Sequence, residues 1–200
     1  MLTRFLFRCA LLMALCLGTA GPGYALEADR KVELQLTRDA DGVFATVALQ
    51  FDLPEPIQDA LSKGVAMYFV EEAEIIAERW YWRDKTVKKT ARYMRLTYQP
   101  LTRRWRLHVA STPFDEAGMA ASLGQTFDSL DEAMAIVKRV RQWKIASADD
   151  VSDSTAYMVK FHFRLDASQL PRLMQFAPFG SGGLNLQMSS QLPMPEQAKP

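Results

Sequence analysis

Apolar residues recur at every second position over several stretches of this chain, and that period limits the fold more than any other feature. Val43, Ala45, Val47, Leu49 and Phe51 take every second position of Val43-Phe-Ala-Thr-Val-Ala-Leu-Gln-Phe51. Lys31-Val-Glu-Leu-Gln-Leu-Thr37 follows the same rule. A period of two puts such residues on one side of a strand and leaves the other side to water. A helix would scatter them around its axis. Asp39-Ala-Asp-Gly42 between the two runs is turn chemistry, so the pair reads as a hairpin with one buried face.

The pattern continues along the chain. Pro54 to Lys63 reads as a short helix with Ile57, Ala60 and Leu61 as its apolar stripe and Gly64 as its stop. Val65 to Trp82 mixes helix formers (Glu71-Glu-Ala-Glu-Ile-Ile-Ala-Glu78) with aromatic and β-branched residues. It reads as one long strand with an irregularity near Glu72. Val87 to Tyr98 and Arg103 to Ala110 are the next strands. Turns at Arg83-Asp-Lys85 and Gln99-Pro-Leu-Thr102 make the three a meander. Phe114 to Gly124 reads as a loop.

Ser129-Leu-Asp-Glu132 is a capping box, with Glu132 reaching back. It opens a helix carrying Leu130, Ala133, Met134, Val137 and Val140, with Lys138, Arg139 and Arg141 toward its end. Ala148 to Ser154 reads as an acidic loop and Ala156 to Leu165 as a strand. Phe179-Gly-Ser-Gly-Gly183 precedes a last edge strand at Leu184 to Met188. The predicted class is α+β, a mainly antiparallel sheet or sandwich of about eight strands with one principal helix and one short helix.

The first 25 residues are read separately. Arg4 and Arg8 precede the apolar run Cys9 to Leu17, glycines and Pro22 break it, and small residues at Gly23 and Ala25 mark a cut. This is the order of a secretory signal peptide, and the run is shorter than the 18 or so residues a membrane span needs. The expected organisation is a signal peptide over 1–25, a single domain over 26–190 and a disordered proline-rich tail over 191–200. The expected location is the periplasm or another exported compartment. Both cysteines, Cys9 and Cys16, would leave with the signal, which excludes a disulfide, a cysteine nucleophile and a thiolate metal ligand from the domain. Without Arg4 and Arg8, 22 of the 24 basic residues stand against 23 acidic ones, a net charge of −1.

Catalytic constellations are hard to find. His108 shares the polar face of its strand with Arg104 and Arg106, and His162 shares one with Lys160 and Arg164. Cationic neighbours depress a histidine pKa and oppose metal binding. Both histidines read as exposed strand residues. Asp39-Ala-Asp-Gly42 lacks the later oxygen ligands of a calcium loop, and Asp149, Asp150 and Asp153 read as a solvated cluster. Gly180-Ser-Gly-Gly183 is not a nucleophile elbow, and there is no phosphate loop or dinucleotide fingerprint. No metal or cofactor is expected. Glu71, Glu72, Glu74 and Glu78 offer the one acid and base set, which would support a carboxylate-dependent hydrolase if two faced a cleft about 5–10 Å apart.

The unusual segment is the meander. Arg79 to Arg106 holds ten basic residues against Asp84 alone, a local charge of +9. Trp80, Tyr81, Trp82, Tyr93, Tyr98 and Trp105 are interleaved with them. A basic, aromatic sheet face suits an anionic partner. The candidate binding residues are Arg79, Trp80, Trp82, Arg83, Lys88, Arg92, Arg95, Arg104 and Arg106. Export turns the expected partner away from nucleic acid and toward an anionic envelope component or an acidic protein loop. The readings are therefore a non-catalytic envelope binding or adaptor protein, the hydrolase, or a passive structural protein.

Phe51-Asp-Leu-Pro54, Gln58-Asp-Ala-Leu-Ser-Lys-Gly64, Tyr68-Phe-Val70, Arg79-Trp-Tyr-Trp82, Tyr93-Met-Arg-Leu-Thr-Tyr98, Leu101-Thr-Arg-Arg104, Phe127-Asp-Ser-Leu-Asp-Glu-Ala133 and Leu165-Asp-Ala-Ser-Gln-Leu-Pro171 together resemble a family of exported proteobacterial proteins. That family is known only as a domain of unknown function. The resemblance covers roughly Glu27 to Ser190 and implies export and one domain. It implies no activity, cofactor or catalytic residue. Genes of the family often stand beside a nitrogen-regulation-type sensor histidine kinase, which implies such a membrane sensor as a partner.

Overall fold

A computed structural model describes residues 30–77, 85–114, 122–152, 154–166, 168 and 186–197. Among these, nine strands form two antiparallel sheets. The first joins β1 (Lys31–Asp39), β2 (Gly42–Gln50) and β7 (Arg139–Ser147) in the order β1-β2-β7. The second has the order β6-β5-β4-β3-β8-β9. Its strands are β3 (Met67–Ala77), β4 (Lys85–Gln99), β5 (Arg104–Ala110), β6 (Leu123–Phe127), β8 (Tyr157–Leu165) and β9 (Gln187–Pro193). Helices α1 (Glu55–Ser62) and α2 (Leu130–Val137) complete the α+β sandwich that the alternation predicts.

The predicted hairpin forms with Val43, Ala45, Val47 and Leu49 of β2 buried. The Asp39 carboxylate accepts from the N–H groups of Asp41 (2.8 Å) and Gly42 (3.2 Å), which closes the turn. That is turn chemistry, as the sequence implied. Gly42 is there because β7 crowds it. A Cβ on Gly42 would lie 2.2 Å from the Ala146 carbonyl oxygen, and its φ of +141° disfavours any other residue.

The two inner faces meet in one core. β2 and Ile145 of β7 pack against Phe69, Phe161, Phe163, Met94 and Leu96 of the larger sheet. Phe163 is its aromatic hub, stacked on Phe69 (5.9 Å between centroids) and tilted against Phe51 (5.3 Å). A hydrogen bond crosses the gap, the Thr90 hydroxyl donating to the Ile145 carbonyl at 2.8 Å. α1 buries Ile57, Ala60 and Leu61 as expected.

Several expectations need correction. β3 runs straight through Glu72, because pairing on both sides overrides the helix propensity of its glutamates. Its irregularity falls between Ile75 and Ile76, whose β4 partners are Lys88 and Thr86, leaving Val87 as a bulge. The principal helix ends at Val137 rather than near Arg141. Arg139 to Ser147 instead becomes β7, pairing with β2. Ser129 accepts from the Glu132 N–H at 3.2 Å, but Glu132 reaches back to the Asp128 N–H (3.3 Å), one residue before the cap. The segment read as a loop up to Gly124 gives way to β6 at Leu123. The last strand is Gln187–Pro193, so it takes in the first three residues of the stretch expected as a tail. The Met194 N–H then donates to the Tyr157 carbonyl at 2.9 Å. The signal segment, Arg83-Asp84 of the first meander turn and Phe179 to Gly183 lie outside the described residues.

Candidate functional site

Strand phase decides which charged side chains can share a surface. β3 and β4 pair Glu71 with Arg92, Glu74 with Lys89 and Tyr68 with Arg95. β4 and β5 pair Arg95 with His108, Thr97 with Arg106 and Gln99 with Arg104. Residues in phase with Met94, Leu96 and Thr90 turn inward to the smaller sheet, and those in phase with Arg95 turn outward.

Five of the nine candidates lie among the described residues, and they divide between the two faces. Lys88 and Arg92 are inward in phase. Lys88 Nζ meets the Asp150 carboxylate at 3.0 Å. Asp150 also accepts from the Ser147 N–H at 2.9 Å, and these contacts, the backbone one first, hold its pKa below the usual carboxylate value. Asp150 thus anchors the 3-10 turn Ala148–Asp150.

Arg92 meets Glu71. Its Nη1 donates to Glu71 Oε2 at 2.9 Å. The Glu71 side chain is fully buried, and Oε1 has no hydrogen-bond partner among the described residues. Burial is the dominant influence and pushes the Glu71 carboxyl up to about 7, against the opposing pull of Arg92. Sequence reasoning grouped Glu71 with Glu72 and Glu74. The signal that separates it is its phase, which it shares with Met67, Phe69, Ala73 and Ile75.

The outward candidates are Arg95, Arg104 and Arg106. Arg104 pairs with Asp128 at 3.3 Å. Arg95 Nε donates to the Tyr68 hydroxyl at 3.2 Å, and its guanidinium lies 5.9 Å from the Tyr68 ring centre. Phe114 tilts against the same ring at 6.0 Å. Arg106 is exposed. Among the described residues, no carboxylate forms an ion pair with Arg95 or Arg106. His108 stands beside both. It is half-buried rather than exposed, with Nδ1 2.9 Å from Ser122 Oγ. Burial first, then Arg95 and Arg106, hold its pKa below the ordinary histidine value. Tyr98 and Trp105, 4.8 Å apart, lie in the inward phase, so the aromatic and basic residues are not evenly interleaved on one face. Arg79, Trp80, Trp82 and Arg83 lie outside the described residues.

Further along the outer face the acids are compensated. Lys89 bridges Glu72 (3.2 Å) and Glu74 (3.0 Å). Arg164 sits 3.8 Å from Glu72 and 3.6 Å from Asp166. Glu72, Glu74, His162, Arg164, Gln187 and Ser189 line an open cleft of about 450 Å³. No group of three or more histidine, cysteine or acidic residues among the described ones is placed to hold a metal ion. Likewise, no described helix is long and apolar enough to cross a membrane.

The fold and this site define a mainly antiparallel α+β sandwich with a cationic outer face on which, among the described residues, Arg95 and Arg106 lack a carboxylate partner. Residues 30–191 match the family described as "Domain of unknown function (DUF4390)", and the chain belongs to it. No curated protein and no solved structure matches the chain.

Proposed function

We propose that the chain is an exported, non-catalytic envelope protein that binds an anionic partner on the outer face of β4 and β5. The observation that carries this reading is the pairing pattern of that face. Lys89, Arg104 and Arg164 are ion-paired, whereas no described carboxylate pairs with Arg95 or Arg106. Two guanidinium groups flanking a half-buried histidine offer charge-assisted donors to a carboxylate or phosphate. The Tyr68 ring beside Arg95 adds a flat contact surface. Arg79, Arg83, Trp80 and Trp82 keep their place as sequence-level candidates, while Lys88 and Arg92 serve the inner face.

Export rests on the order of charge, apolar run and small residues in 1–25, with the sandwich that follows as the exported domain. The extracytoplasmic part of a membrane sensor histidine kinase is the partner the family resemblance supports. An anionic envelope component is the other. Binding to phosphatidylglycerol vesicles and to polyglutamate tests the reading and separates lipid from protein carboxylate. The Arg95→Glu/Arg106→Glu double variant is expected to lose binding at least tenfold and to flatten its salt dependence. Equal binding by the variant overturns the reading.

The competing reading, a carboxylate-dependent hydrolase, has one supporting observation, the cleft that Glu72 and Glu74 share. Lys89 bridging both carboxylates argues against a free acid and base pair. An envelope-polymer hydrolysis that disappears in Glu74→Gln, with folding intact, would favour it.

A further inference from the structure

We propose that β6 accepts an extended acidic segment of a partner protein as an added strand. The inference rests on the anionic-partner reading above and names the form that partner takes. Among the described residues the sheet edges are β1, β7, β6 and β9. β1 carries Lys31, Glu33, Arg38 and Asp39, and β7 carries Arg139, Arg141 and Lys144, all of which discourage edge pairing. β9 ends in Pro193 and lies against β1. β6, Leu-Gly-Gln-Thr-Phe, has neither charge nor proline. Leu123, Gly124, Gln125 and Thr126 are all exposed, Leu123 to 75%. No described strand pairs with its free side.

Among the neighbouring residues Arg106 selects for negative charge, and His108 supplies a ring for hydrogen bonding. Gly124 is opposite His108, and Thr126 is opposite Arg106. Gly124 is where the histidine ring fits. A Cβ there would stand 3.0 Å from His108 Cε1, so the imidazole lies across β6 toward the open edge. A strand added along β6 would run about 4.8 Å away, with side chains alternating between faces. On the outer face an acidic side chain opposite Gly124 would meet the imidazole and the Ser122 hydroxyl. A second, opposite Thr126, would come within reach of the long Arg106 side chain. On the other face the added residues would lie beside exposed Leu123, which suits an apolar residue. The favoured segment therefore alternates acidic and apolar residues over about five positions, recognised by main-chain pairing plus charge.

The test is a fluorescence anisotropy titration with an acetylated eight-residue peptide alternating glutamate and valine. Two further versions are N-methylated, each on one alternate set of amides. Saturable binding is expected, weakened tenfold or more by one methylated set and not by the other. Thr126→Glu, an exposed substitution, is expected to weaken it by at least as much, and the lysine-valine peptide is expected not to bind. If the parent peptide binds and both methylated versions bind equally well, strand addition is wrong while the broader anionic-partner reading stands. Loss of salt-sensitive binding to every anionic probe overturns both. A dimer in sedimentation equilibrium that Thr126→Glu dissolves assigns the edge to a second copy of this chain and overturns the foreign segment.

Discussion

Glu71 turns the interior of the sandwich into a pH-dependent element, and Glu71→Gln measures it. The carboxyl is fully buried, accepts from Arg92 at 2.9 Å, and its Oε1 has no partner among the described residues. Its pKa rises from 4.5 to about 7, chiefly because burial penalises the charged form. Below the unfolded value both folded and unfolded chains hold the proton, so the group has no effect on stability. Between 4.5 and 7 the unfolded chain ionises first and the folded chain keeps its proton. Stability therefore falls as pH rises through this window and levels off above it. At about 1.4 kcal/mol for each pH unit, the whole penalty is about 3 kcal/mol.

Glutamine keeps the shape and does not titrate. Urea unfolding of both proteins from pH 4.5 to 8 isolates the term, because every other titrating group is common to the two. The stability of Glu71→Gln relative to the native chain is expected to improve by about 3 kcal/mol across that range. That moves the relative urea midpoint by about 1–2 M. A flat difference would refute the reasoning, and so would a native chain that gains stability relative to the variant with rising pH. The first result means that Arg92 offsets the cost of burying the carboxylate, and the second that it outweighs that cost.

Three further outcomes follow from the packing. Arg92→Met leaves the buried carboxylate alone and is expected to cost about 3–5 kcal/mol at pH 8 and clearly less at pH 4.5, read by the same unfolding curves. Phe163→Ala removes the ring that contacts both Phe51 and Phe69 and is expected to cost about 3–5 kcal/mol in thermal or urea unfolding. Gly42→Ala forces a Cβ onto the Ala146 carbonyl and is expected to destabilise by more than about 2 kcal/mol, with the loss of amide-exchange protection concentrated in β2 and β7.

Legibility in the sequence followed the contrast between faces. β1, β2 and β8 alternate more buried with more exposed positions, so their period of two was readable. β6 has no such contrast, since its first four residues are all exposed and none is charged. β7 was hidden for another reason. Its pairing with β2 shifts register at two places, Gln142 has a φ of +51°, and only Ile145 and Ala146 are buried, so its phase is broken. Val137 and Val140 then mimic a helical stripe. At the site, charge density in the meander was visible, but its division between two faces needed strand phase residue by residue. The run Glu71-Glu-Ala-Glu74 concealed that phase, because a buried glutamate looks no different from its exposed neighbours in a list of charges.

The strand order also has a consequence for how the chain reaches its structure. The hairpin β1-β2 is local, but its free side is closed by β7, and Leu49 bonds to the carbonyl of Lys138. The meander β3-β4-β5 is local too, but β3 is closed only by β8, and β8 in turn by β9. Each sheet is thus begun early and sealed late, by segments from the last third of the chain. Closure over such separations is slow, in the range of milliseconds to seconds for sandwiches of this kind. A chain cut after α2 would keep both local hairpins and lose both seals, leaving Phe69 and Val47 without the strands that cover them. Neither sheet can therefore be completed until the C-terminal third of the chain is in place.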